Sequence, residues 1–160
     1  MKSKIHTYVV SISIALSVGS LAAHFTKEGM QTLYATILTP PWAPPSALFP
    51  FVWTILYALM GVSAAMVWRE KQPEKALIRR RALIVYALSL AVNFSWCFVF
   101  FSFRSFGFAF AWLWVLIFLV AATIQYYRKL NPLAAYLQIP YLVWLFFAAC
   151  LSGAVWELNP

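Results

Sequence analysis

Apolar runs of about 20 residues recur along this chain, and a run of that length crosses the roughly 30 Å hydrocarbon core of a bilayer as a helix. Five such runs lie near residues 5–24, 47–68, 81–102, 106–127 and 133–156. In hydrocarbon every backbone N–H and C=O must be satisfied within the protein, so only helices and closed barrels span it. The runs lack the period-2 alternation of barrel strands, which leaves helices. With 64% hydrophobic and 10% charged residues, the chain is far more apolar than the roughly 45–50% of soluble domains. The expected fold is an all-α integral membrane protein, a five-transmembrane-helix bundle forming one domain over residues 1–160.

The formal charge of +8 invites a nucleic-acid reading, and the placement of the charges decides against it. With five spans, the N-terminus and the second and fourth connections share one side. That side carries Lys2, Lys4, Arg69, Lys71, Lys75, Arg79, Arg80, Arg81, Arg128 and Lys129, and the other carries Lys27 and Arg104. Such a split is the positive-inside pattern, with the N-terminus cytoplasmic and the C-terminus outside. The basic loop at 69–81 sets topology and meets anionic headgroups; nucleic acid is not an expected partner. The bias favours a bacterial plasma (inner) membrane.

The stretch from Met1 to Ala23 has a basic start, an apolar middle and small residues at Ala22 and Ala23, the form of a secretory signal. Ser11, Ala15, Gly19 and Ala23 nevertheless make a small-xxx-small ladder on one helix face, which suits close helix approach. The segment is read as a retained first span, its ladder packing within one bundle rather than forming a dimer seam. A loop over residues 25–46 follows, with a short interfacial helix expected from Thr26 to Tyr34. Its end, Pro40-Pro41-Trp42-Ala43-Pro44-Pro45, places four prolines in six residues. Each proline lacks an N–H and fixes φ near about −65°, so this segment is a stiff extended cap over span two. Span two opens with Phe49, Trp53 and Tyr57, an i, i+4, i+8 series that lines one face.

Span three, placed after Arg79-Arg80-Arg81, carries Asn93, Trp96 and Cys97. An amide in hydrocarbon must find a partner; an interhelical hydrogen bond and a ligand contact are both open readings of Asn93. Ala87 and Ala91 form a second small pair, read as packing. The turn at Arg104 and Gly107 folds span four back beside span three. Span five contains Pro140, expected to kink the helix, then Trp144 and Ala148 one and two turns on, which read as a pocket wall or as a helix contact.

Absences restrict the chemistry. The acids are Glu28, Glu70, Glu74 and Glu157, all outside the spans, whereas ion-coupled transporters normally carry an intramembrane acid. His6 and His24 flank opposite ends of span one, and Cys97 and Cys150 read as apolar fillers, so no metal site or cofactor is expected. No nucleophile–base pair, P-loop or dinucleotide fingerprint is present, which argues against ordinary enzyme chemistry. Aromatic surface is plentiful instead: eight tryptophans and 19% aromatic residues. Flat apolar ligands are held by stacking and area burial, with a few polar groups fixing orientation.

The cap Pro41-Trp42-Ala43-Pro44-Pro45, then Phe49-Pro50 and Trp53-Thr54-Ile55-Leu56-Tyr57, the Asn93-x-x-Trp96 pair, and Pro140-Tyr141-Leu142-Val143-Trp144 together resemble the TspO/MBR family. These are the tryptophan-rich sensory proteins related to the translocator protein, or peripheral benzodiazepine receptor. The resemblance covers essentially the whole chain. It implies a five-helix bundle, often a homodimer, with a pocket under the loop between spans one and two. It also implies binding of porphyrins such as protoporphyrin IX, of benzodiazepine-like compounds and of sterols, in a membrane receptor or sensor or in a transporter. Some members promote light- and oxygen-dependent porphyrin breakdown. By motif position, the implied ligand-binding residues are Tyr34, Trp42, Pro44, Pro45, Trp53, Tyr57, Asn93, Trp96, Trp144 and Ala148. Trp53 and Trp144 are the implied photochemical pair, and Asn93 is the orienting polar group. Two departures stand out: Leu116 replaces an acid that some members carry in span four, and the end of span five lacks the family's sterol-associated tyrosine and basic residue. Sterol is therefore the least supported ligand; a pattern of that form at Val120, Tyr126 and Arg128 is a weak match.

Overall fold

The computed structural model describes residues 2–160, with side chains from Lys4 onward. Met1 and the side chains of Lys2 and Ser3, which the signal and charge readings touch, lie outside the described residues. Five long apolar helices, each able to cross a membrane by length and composition, make up the fold. They are α1 (Lys2–Tyr34), α2 (Leu48–Trp68), α3 (Ala76–Cys97), α4 (Phe106–Leu130) and α5 (Pro132–Leu158). A 3₁₀ turn at Pro73–Lys75 leads into α3, and a π-helical turn at Phe98–Ser102 ends it.

Two boundaries differ from the expectation. α1 does not stop near residue 24 and restart at Thr26; it is one helix of 33 residues, about 50 Å long at 1.5 Å per residue. Nothing interrupts it: Thr26 returns its hydroxyl to the Ala22 carbonyl at 2.7 Å, and Gly29 seats its backbone against that of Phe101. The connection to α2 is therefore residues 35–47. α3 begins before the arginine triplet, because Pro73 starts a turn that passes directly into the helix. α5 matches its expected span, with Pro140 inside the helix.

The helices close into a ring in which α1 packs on α2, α2 on α5, α5 on α4, α4 on α3 and α3 on α1. Chain neighbours are thus not always spatial neighbours, and faces of α2, α3 and α5 meet in the interior. Lipid is as apolar as leucine, so close packing and interhelical hydrogen bonds hold such a bundle. On the α1–α2 seam, a Cβ at Gly61 would lie 2.5 Å from Ile12 Cα, and one at Gly19 would lie 2.2 Å from the Tyr57 ring. The small-residue ladder on α1 faces α2 within the chain. It continues through Ala22 and Thr26, which are buried, and not through Ala23, which is exposed. Ala87 and Ala91 do not pack inside as expected: both are exposed on α3, whose inward face carries Ser89, Leu90 and Asn93.

Polar side chains tie the seams. Gln138 Nε2 donates to Ser63 Oγ at 2.8 Å across α5–α2. Trp112 Nε1 donates to Ser95 Oγ at 2.9 Å across α4–α3. At one end of the bundle lie Lys4, the α2–α3 loop and the α4–α5 turn, where Asn131 caps α5 by accepting the Ala134 N–H. This is the basic end. At the other, the 35–47 connection meets the α3–α4 turn, where Arg104 has a left-handed backbone (φ 51°) and donates to Thr32 Oγ1 at 3.1 Å.

Candidate functional site

The aromatic face read from α2 is present and points inward. Phe49 meets Trp144 of α5 edge-on with ring centroids 5.9 Å apart. One turn further in, Trp53 lies 5.5 Å from Tyr57 and edge-on to Tyr141 of α5 at 6.0 Å. Below them the interior turns polar. Tyr57 Oη donates to Asn93 Oδ1 at 2.9 Å, and Asn93 Nδ2 donates to Tyr141 Oη at 2.6 Å. This single amide joins α2, α3 and α5. Asn93 is 3% exposed and Tyr141 fully buried, so each would lose much if left unpaired in the low-dielectric interior.

Toward the proline-rich segment the ring row continues. Trp144 lies 5.2 Å from Phe147, and Phe147 meets Trp42 of the proline-rich segment edge-on at 6.1 Å. Trp42 remains half exposed. The row from Trp42 through Phe147, Trp144 and Phe49 to Trp53, with Asn93 at its inner end, is one aromatic wall that begins at the proline-rich segment. Ala148, one turn beyond Trp144, packs half-buried against the same core, while Pro44 is half-buried and Pro45 exposed.

Two expected wall residues lie elsewhere. Trp96 donates its indole N–H to the Ala109 carbonyl at 3.0 Å and stacks on Phe100 at 5.0 Å. Tyr34 is exposed, 6.2 Å from Phe101. Trp96 belongs to a second aromatic cluster with Phe100, Phe101 and Phe106, between α1 and the α3–α4 turn, and also touches the main core, while Tyr34 borders that second cluster through Phe101. Conversely, sequence reasoning left out Tyr141 and Phe147. Tyr141 precedes Trp144 by one turn and is a hydroxyl in an apolar span, which is a signal; only the fold reveals that its partner is Asn93.

Two cavities lie off this wall. One of about 200 Å³ at the lid end is lined by Leu33, Thr36, Ile37, Arg104, Phe106 and Asn159. The other, about 370 Å³, is a groove between α4 and α5 beside Trp114, Phe146, Cys150 and Glu157. Along the wall itself, rings contact rings, so a flat ligand would slide between rings that now touch one another. The wall can supply stacking faces, one amide and two phenols, and the Cys97 thiol lies behind the amide, donating to the Asn93 carbonyl at 3.7 Å. Among the described residues no three His, Cys, Asp or Glu side chains gather as metal ligands.

Comparison with known proteins bears on this arrangement. Residues 11–157 match the model of the TspO/MBR family. The chain is 30% identical to the tryptophan-rich protein TspO of Chlorobaculum tepidum, over the full length of both. It is 36% identical to the human translocator protein, with 95% of this chain and 88% of that one covered. It is 35% identical to the bovine translocator protein, covering 88% and 83% of the two chains. Five membrane-spanning helices, an inward aromatic wall and a match along nearly the whole length agree, and the chain belongs to the TspO/MBR family.

Proposed function

We infer that this protein is a membrane receptor or sensor that takes a porphyrin such as protoporphyrin IX, or a related flat apolar ligand, between the lid and the aromatic wall. The observation that carries the reading is the row of rings from Trp42 to Trp53 ending on the Asn93 amide. A tetrapyrrole offers two large faces for stacking and a polar centre for one orienting group. Burying several hundred Å² of apolar surface at roughly 25 cal/mol per Å² offsets the usual costs of association. Trp42, Pro44, Pro45, Trp53, Tyr57, Asn93, Trp144 and Ala148 form the site, with Trp96 and Tyr34 bracing it from the neighbouring cluster. The basic end faces the cytoplasm of a plasma membrane, which leaves the lid on the outer side. Under light and oxygen, Trp53 and Trp144 are placed to take part in oxidation of the bound ring.

A dark titration with protoporphyrin IX in detergent tests this. Tryptophan emission falls with saturation, and Trp53→Phe with Trp144→Phe weakens the effect; wild-type emission that ignores the porphyrin refutes the reading. Illumination in air then separates stable capture from breakdown. A second reading, transport of such ligands, is favoured by the name translocator protein borne by the mammalian relatives. Vectorial uptake into proteoliposomes decides it.

A further inference from the structure

We propose that Asn159, the residue just after α5, is the positioning residue that latches the lid, and that it thereby sets how fast a ligand enters and leaves. The proposal rests on the ligand reading above, but the latch itself is geometric. Asn159 Oδ1 accepts the Leu38 N–H at 3.0 Å, and Asn159 Nδ2 donates to the Leu38 carbonyl at 2.9 Å. The pairing resembles one rung of a β-ladder, with a side-chain amide in place of the second strand. The amide is held from below as well, because Nδ2 also donates to the Val155 carbonyl of α5 at 2.8 Å. Its rotamer is therefore set by the helix before the lid arrives.

Leu38 needs this anchor. Its side chain is 62% exposed, so burial does not hold it in place. Two residues on, the chain enters Pro40-Pro41, and the four prolines of the cap have no N–H with which to bind the bundle. Among the described residues, every other hydrogen bond from segment 35–47 reaches no further than four positions along the chain, as in Thr36 to Thr32 or Ala43 to Pro40. Asn159 thus makes the lid's long-range hydrogen bonds, at a separation of 121 residues. Ile37 and Pro40 add apolar contact on either side. Because the proline segment is stiff, movement at Leu38 is transmitted to Trp42, four residues on, and so to its contact with Phe147. Opening the lid breaks the latch and leaves the α1–α2 seam intact.

The test uses the full chain in nanodiscs, in the dark, as wild type, Asn159→Ala and Asn159→Asp. The aspartate keeps the acceptor for the Leu38 N–H and loses both donated bonds. Hydrogen exchange of the peptide spanning residues 35–43, without ligand, reads the latch alone. Stopped-flow with protoporphyrin IX, and its displacement by a non-fluorescent metalloporphyrin, reads the rates. Asn159→Ala should speed exchange, and should raise association and dissociation rates together by about five- to tenfold, the worth of two modest hydrogen bonds. Affinity should shift less than either rate, the thermal midpoint should hold, and Asn159→Asp, whose second carboxylate oxygen would face the Leu38 and Val155 carbonyls, should speed exchange at least as much as Asn159→Ala. Unchanged exchange overturns the latch. Faster exchange with unchanged rates overturns its control of the ligand. A wild type that does not bind protoporphyrin IX removes the ligand reading and the rate claim with it, while exchange still decides whether Asn159 holds the lid.

Discussion

Replacing Gly19 by alanine should disturb the inner end of the aromatic wall from the neighbouring helix α1. A Cβ built on Gly19 lies 2.2, 2.6 and 2.9 Å from three ring carbons of Tyr57, whereas carbons pack at about 3.5–4.0 Å. Either α1 retreats or the Tyr57 ring moves by at least about 1.3 Å. The ring cannot move that far and keep its 2.9 Å bond to Asn93, since O–H···O bonds fade beyond about 3.0 Å. Two costs follow. Overpacking of a filled core costs about 1–3 kcal/mol, and a hydrogen bond between membrane helices averages about 0.6 kcal/mol. The steric part dominates, and the sum is about 2–4 kcal/mol. Reversible unfolding in mixed micelles of increasing SDS fraction, followed by tryptophan emission, measures it. Tyr57→Phe, which removes the bond without the clash, should cost under about 1 kcal/mol. Combining Gly19→Ala with Tyr57→Leu should relieve the clash, so that the double change costs at least about 1 kcal/mol less than the sum of the singles. Porphyrin quenching should weaken in Gly19→Ala and recover least where Asn93 has lost its partner. Additive single and double changes, or a Gly19→Ala variant within about 0.5 kcal/mol of wild type, would refute this account of the seam.

Gly61→Ala drives a Cβ into the backbone of α1, 2.5 Å from Ile12 Cα; backbone yields less readily than a ring, so its loss in the same unfolding assay should equal or exceed that of Gly19→Ala. Tyr127 is buried with a hydroxyl that has no protein partner, so Tyr127→Phe should raise stability by about 1 kcal/mol. A fall in the thermal midpoint instead would reveal a bound water on that hydroxyl. Trp96→Phe keeps an aromatic ring on Phe100 but loses the bond to the Ala109 carbonyl, and should lower stability by about 1 kcal/mol while protoporphyrin affinity changes less than twofold in the dark titration.

Much of this fold is legible because a membrane simplifies the rules. Hydrocarbon forbids unpaired backbone, so run length alone marks the helices, and four of the five both begin and end close to their apolar runs. The exception is α1. Residues 26–34 are polar enough to read as a separate interfacial helix, yet they continue α1 without a break, with the π-helical turn and Phe101 packed against them. The small-residue pairs show the same limit. Ser11, Ala15 and Gly19 face a helix while Ala87 and Ala91 face outward, and their spacing is identical.

What the amino-acid order determined by itself is local and periodic: the five spans, a non-helical Pro40–Pro45 that turns at Pro40–Ala43 instead of running extended, and the face shared by Phe49, Trp53 and Tyr57. Those follow from covalent geometry and the 3.6-residue turn, which act within a few residues. What the tertiary structure alone decided is which faces meet. The ring order that seats α2 between α1 and α5 brings Asn93 to Tyr57 and Tyr141, 36 and 48 residues away, sends Trp96 to the neighbouring cluster, and lays Asn159 on Leu38. Such pairings depend on how whole helices pack, and a polar group buried in hydrocarbon states only that it needs a partner; the bundle chooses which one.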